Sequence, residues 1–153
     1  MNFYVDFEAL QFSGRIISIG CINDNGDKFY TLSQPSKRGE RLTNFITDLT
    51  GITSEMLSNA PTANEAFENF YPYVKSTCGE ALPQCHCYGN SDGDFLRATG
   101  KYLTSFDARM FCDYVRCNLT DYSSTARSYF PSFRRISFDR IQLIYSITIL
   151  LKN

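Results

Sequence analysis

The chain has almost no net charge: 15 Lys and Arg stand against 16 Asp and Glu, a formal charge of −1 over 153 residues. A basic body that grips nucleic acid over its whole surface is therefore excluded, and any nucleic-acid role must rest on a local site. Histidine is nearly absent, His86 being the single one. It lies among Cys78, Cys85 and Cys87, but structural zinc sites pair their ligands as C-x2–4-C and need a second pair, which this spacing does not supply. The six cysteines come without a small secreted scaffold, so reduced and mostly buried thiols are expected. A long apolar run is missing too. The longest, Ile141 to Leu151, covers about half a bilayer and is interrupted by polar residues, so no membrane partner is expected. The first residues hold no basic segment leading into an apolar core and a cleavage site, and the expectation is a cytoplasmic protein. At 43% hydrophobic and 20% charged, without repeats, the length fits one globular domain, 1–153.

What is present begins at once. Met1-Asn2-Phe3-Tyr4-Val5-Asp6-Phe7-Glu8 is rich in β-formers and sets two acids two positions apart. Side chains alternate across a strand, so Asp6 and Glu8 point the same way, roughly 6.5–7 Å apart along the backbone. No cation stands beside either one in sequence. Two carboxylates held side by side repel unless a proton or a metal ion relieves them. A divalent-cation site is the first functional expectation.

Residues 2–8, 14–23 and 27–33 read as three strands, with Asn23-Asp24-Asn25-Gly26 as a hairpin turn. Thr43 to Leu49 has helical spacing and Gly51 as a stop, and Thr53 or Ser54 can cap a turn through Leu57. Thr62 or Asn64 caps a longer helix with Ala63, Ala66, Phe67, Phe70 and Val74 on one stripe, and Pro72 predicts a kink or early break. A short strand over 84–88, a helix over 92–103 and another over 107–117 follow. Asp121 is read as the cap of a helix through Phe130, and 137–149 as one more helix. Three strands, a helix, a strand and further helices predict a mixed sheet with helices on its faces.

The second constellation is Tyr88-Gly89-Asn90-Ser91-Asp92-Gly93-Asp94-Phe95-Leu96. A strand ends, a Gly-Asn turn follows, and a carboxylate opens a helix. Asp92 can thus reach the mouth of the sheet that carries Asp6 and Glu8. Three carboxylates there could hold two Mg2+ ions about 3.5–4 Å apart, as in-line phosphodiester cleavage requires.

In order and spacing, Asp-x-Glu on the first strand, the hairpin, Leu49-Thr50-Gly51-Ile52-Thr53, Pro61-Thr62 and Gly-Asn-x-Asp-x-x-Phe-Leu resemble the DnaQ-like DEDD 3′–5′ exonucleases, closest to the small RNA-trimming members. The resemblance covers residues 2–105, ahead of a helical part over 106–153. It implies a ribonuclease H-like α/β fold with a mixed five-stranded sheet, and hydrolysis at the 3′ end of single-stranded RNA or DNA with two Mg2+ or Mn2+ ions. By resemblance Asp6 bridges both ions, Glu8 holds the ion that activates water, and Asp92 helps to bind the second; Asp94 is a rival for that last role. Phe7, Ala9, Leu10 and Asn90 would contact the terminal nucleotide, with stacking from a nearby aromatic.

The family pattern also has a third motif, His-x4-Asp or Tyr-x3-Asp, which supplies a general base and a fourth ligand. Here the one histidine precedes Asp92, and no tyrosine stands at the required distance before a later aspartate. Ile136-Ser137-Phe138-Asp139-Arg140-Ile141 looks like the helix that normally precedes that motif, so the chain is read as stopping short of it by truncation, frameshift or loss. The rival expectation is an exonuclease fold that binds nucleic acid or a protein partner without cleaving. Oligomeric state and the choice between RNA and DNA are not encoded in any motif.

Overall fold

The computed structural model describes residues 1–121. Three strands open the chain, β1 (Asn2–Ala9), β2 (Ile16–Asn23) and β3 (Lys28–Leu32). They form an antiparallel meander, because Gly26 takes a φ of 84° in the turn and donates its N–H to the Asn23 carbonyl at 3.0 Å. Three helices follow, α1 (Asn44–Thr50), α2 (Ser54–Ser58) and α3 (Ala63–Cys78). The threonines expected at their starts are their caps. Thr43, Thr53 and Thr62 each accept a backbone N–H, and Thr62 with Glu65 completes a capping box. Then come β4 (Gln84–Cys87), α4 (Ser91–Gly100), α5 (Phe106–Cys117) and β5 (Leu119–Asp121).

The sheet order is β3-β2-β1-β4-β5, with β4 parallel to β1 and β5 parallel to β4. It is the mixed five-stranded sheet of a ribonuclease H-like fold. Alternation along β1 sends Phe3, Val5 and Phe7 into one core with Phe67, Phe70 and Val74 of α3 and Phe111, Cys112 and Val115 of α5. Burial of these large side chains, at about 25 cal/mol per Å2 of apolar surface, is what holds the helices on that face. A second cluster gathers Leu10, Ile17, Ile46, Ile52 and Leu57 beside the end of β1.

One expectation is corrected: Pro72 does not end α3, which runs on to Cys78. Pro72 and Glu68, whose carbonyl loses its donor there, are both exposed, and a lost donor costs least on a solvent-facing stripe, while Phe70 and Val74 are buried on the inner one. Asp121 ends β5, held in a parallel ladder in which Cys87 pairs with Asp121. The rest of the helix expected through Phe130 and the helix over 137–149 lie outside the described residues, as does the apolar run 141–151. Among the described residues no helix is long and apolar enough to cross a membrane.

Candidate active site

The site lies where β1 and β4 part. Their ladder covers Asn2 to Tyr4 against Gln84 to His86 and then stops, while β1 continues to Ala9. In an open α/β sheet such a divergence at the carboxyl ends of parallel strands is the usual ligand crevice. On β1, Tyr4, Asp6 and Glu8 share the face opposite the helix core, in register with Ile22, Gly20 and Ser18 of β2. Both acids are half-buried.

Asp92 is brought to the same point. The chain leaves β4, turns at Gly89 with a φ of 98°, and enters α4 with Asp92 in its first turn. The carboxylate is 3% exposed, and its Oδ1 accepts the backbone N–H of Phe7 at 3.1 Å. Phe7 is the residue between Asp6 and Glu8, so Asp92 meets the β1 backbone between the two strand acids.

Helix α4 has little freedom to move away from that point. Thr99 Oγ1 accepts the N–H of Ile16 at 2.9 Å. Gly14 (φ 70°) lets the β1–β2 turn lie against the helix, where a Cβ would sit 3.4 Å from the Phe95 ring and 3.8 Å from Ala98. The loop before the helix is tied as well. Asp121 Oδ1 accepts the N–H of Gly89 at 2.7 Å, and the Cys87 thiol donates to the Gly89 carbonyl at 3.3 Å.

Electrostatics report the same convergence. Burial pushes the Cys87 thiol well up from 9.0, and the charges of Asp92, Asp121 and Asp6 push it further, with Cys85 adding the least. Cys87 therefore stays a protonated donor rather than a nucleophile. On the other flank, burial raises the Tyr30 phenol from 10.0; a hydrogen bond with Ser18 works against this, and the charge of Glu8 adds to it.

The remaining expected residues are spread around this point. Asp94, the rival acid, lies on the outside of α4 and pairs with Arg97 at 2.9 Å. The Phe7 side chain is 1% exposed in the helix-facing core, which leaves its backbone for the site. Ala9 and Leu10 are each 5% exposed, Leu10 at the edge of the second cluster. Asn90 is exposed just before α4 and makes no side-chain capping bond. Cys85, His86 and Cys87 are buried strand residues, and His86 Nε2 lies 3.0 Å from Asn2 Oδ1 with its ring stacked on Tyr4 at 5.4 Å. Asp121 was not foreseen; its contact spans 32 residues and leaves no local signal.

A family model described as exonuclease, RNase_T, matches residues 3–150. The chain belongs to the RNase_T exonuclease family. Members of this family work with divalent metal ions. No curated protein sequence matches the chain significantly. Among solved structures, this exonuclease-family chain is similar to the nuclease domain of 3′hExo, a DEDDh family member, bound to rAMP, at 17% identity and a TM-score of 0.68, over 99% of this chain and 90% of that one. It is also similar to cell-death related nuclease 4, at 17% identity and a TM-score of 0.64, over 99% and 63% of the two chains. A 3′-exonuclease solved in recognition of a histone mRNA stem-loop shares 21% identity at a TM-score of 0.56, over 65% of this chain. This chain spans 51% of that protein's length. At these identities the likeness establishes the fold.

The donor set suits hard divalent ions, since every candidate ligand is a carboxylate oxygen. Among the described residues no three His, Cys, Asp or Glu side chains form a ready-made metal cage.

Proposed function

We propose that this chain is a Mg2+- or Mn2+-dependent 3′–5′ exonuclease acting on single-stranded ends of RNA or DNA. The observation that carries the proposal is the Asp92 carboxylate on the Phe7 amide, between Asp6 and Glu8. Asp6, Glu8 and Asp92 would hold two ions, which would neutralise charge at the scissile phosphate and supply a nucleophile from water at neutral pH. The protein's own part is positioning. Strand β1 fixes the spacing of Asp6 and Glu8, Asp92 is anchored to the backbone between them, and the core below excludes water. Leu10, Asn90 and the backbone of Phe7 and Ala9 would contact the terminal nucleotide.

The test is hydrolysis of a 5′-labelled single-stranded oligonucleotide with Mg2+, with Mn2+ and with a chelator. A ladder shortening from the 3′ end, abolished by chelator and by Asp6→Ala, is expected. Full activity in purified Asp6→Ala overturns the assignment. A second reading rests on His86, the single histidine, which is buried on β4 against Tyr4 and Asn2. Without a general base the rate falls by roughly 10²–10⁴-fold, and the protein would bind 3′ ends without trimming them. Metal-dependent oligonucleotide binding with no turnover selects this reading.

A further inference from the structure

The overall charge of −1 gives a polyanion no general reason to approach, yet one segment departs from that balance. Lys37, Arg38 and Arg41 fall within five residues, and all three are exposed. Among the described residues none of them is in an ion pair. The one acid in the run, Glu40, is taken up by Arg15 and by Ser13 Oγ at 3.5 Å. Three uncompensated cations therefore stand together.

The segment is fastened to the end of β1. Besides the Glu40 contacts, Thr43 Oγ1 donates to Gln11 Oε1 at 2.9 Å. Between those ties the β1–β2 turn closes through Gly14 N–H to Leu10 carbonyl and Leu10 N–H to Arg15 carbonyl, both 3.0 Å. That turn puts Phe12 at its tip, 86% exposed, four residues beyond Glu8. Leu10, Phe12 and Arg41 line a cavity of about 150 Å3. Arg41 also lines a larger one, about 630 Å3, with Lys37, Arg38 and Ser54. The two cavities share Glu40 and Arg41 in their walls.

We infer that these two neighbouring cavities are the track for the single strand upstream of the 3′ end, with Phe12 stacking on a base and Lys37, Arg38 and Arg41 on its phosphates. An exposed ring set among cations beside a groove is the chemistry that single strands select, because every base has a face to stack and every linkage carries a charge. The inference rests on the exonuclease reading for its direction, with the acids at the 3′ end, but its binding test does not need turnover.

The experiment uses the full chain and a fluorescein-labelled dT12 in chelator, followed by anisotropy across a salt series. Each single-strand phosphate contact contributes about 0.7 to the slope of log K against log salt. The variant Lys37→Ala/Arg38→Ala/Arg41→Ala should therefore flatten the slope by about 2, and Phe12→Ala should weaken binding roughly tenfold at fixed salt without changing the slope. With Mg2+, the triple variant should cleave a dinucleotide at the wild-type rate and dT12 more slowly. An unchanged slope and affinity in the triple variant overturns the track, even if hydrolysis is intact. A flattened slope in a protein that never hydrolyses upholds the track and overturns the nuclease assignment instead. All four side chains are exposed, and circular dichroism of each variant confirms that the fold is retained.

Discussion

Replacing Asp92 separates its two jobs, anchoring a backbone and carrying charge. The carboxylate is 3% exposed and accepts the Phe7 N–H at 3.1 Å. Asp92→Ala leaves that buried N–H without its acceptor, at a cost of about 1–3 kcal/mol. Relief of repulsion with Asp6 and Glu8 works in the opposite direction, so the net loss should fall near the lower half of that range. For a chain of this size, 1 kcal/mol corresponds to about 2–4 °C in Tm, and a fall of roughly 3–6 °C is expected. Asp92→Asn keeps an oxygen at the same place, so the bond survives in weaker neutral form while one negative charge disappears. In chelator its Tm should match the wild type within about 3 °C, since the weaker bond and the relieved repulsion nearly cancel. Metal tells the two apart. An ion that binds only the folded state stabilises by about 2.7 kcal/mol at 100 times its Kd, or roughly 5–10 °C in the wild type. Asp92→Asn should lose most of that gain, and its hydrolysis should fall by at least about 10²-fold. The measurements are differential scanning fluorimetry across a Mn2+ titration and single-turnover cleavage. If Asp92→Asn keeps both the metal-induced shift and wild-type cleavage, the acid only caps the β1 backbone and the proposed site is wrong.

Three further outcomes follow from the same geometry. Asp121→Ala should release Gly89 and loosen the entry to α4, lowering the cleavage rate and the metal-induced Tm gain, whereas Asp121→Asn should restore much of both; equal behaviour of the two variants removes the positioning role. Gly14→Ala forces a side chain into a φ of 70° and against Phe95 at 3.4 Å, so urea denaturation should show a loss of about 1–2 kcal/mol, and an unchanged midpoint refutes it. Burial lowers the His86 pKa below 6.5, with Asp24 opposing. The folded state therefore binds this proton less readily than the unfolded one. The His86 contribution is present above about pH 6.5 and is lost as pH falls through the folded value. The urea midpoint of the wild type should then drop more steeply from pH 7.5 to 5.5 than that of His86→Gln, and parallel curves contradict the assignment.

Local chemistry wrote much of this fold into the sequence. A turn residue with positive φ at Gly26, threonine caps at 43, 53 and 62, and a 3.6-residue stripe from Ala63 to Val74 each depend on neighbours a few positions away. The contact of Asp92 with β1 follows a sequence reading too, since Asp92 was expected at the start of a helix that faces the end of that strand. Strand β5 was not legible. Three residues are too few to show an alternation, and Leu119–Asp121 become a strand only by pairing with β4. Asp121 reads as a helix cap because that is the usual role of a lone aspartate before a polar turn. Its bond with the N–H of Gly89 spans 32 residues, and no local pattern announces it. Pro72 misled for a related reason, since its cost depends on whether the orphaned carbonyl meets water, and only packing decides that.

The charge distribution imposes an order on events at this site. Asp6, Glu8 and Asp92 crowd one end of β1, with Asp121 close enough to raise the Cys87 thiol alongside them. A phosphodiester approaching such a group is repelled, and the near-zero net charge offers no compensating field. Lys37, Arg38 and Arg41, in no ion pair among the described residues, reverse the sign locally, with Arg41 beside Phe12. Under the proposed assignment, divalent ions must therefore enter before the 3′ end can. In chelator a bound strand would rest on the cationic side with its 3′ terminus outside the acids. Adding Mn2+ should then tighten binding of an oligonucleotide with a free 3′ end and leave a circular single strand of equal length unaffected. Equal tightening of both would mean that the ions serve the strand's backbone in general, and the acids would lose their claim to the 3′ end.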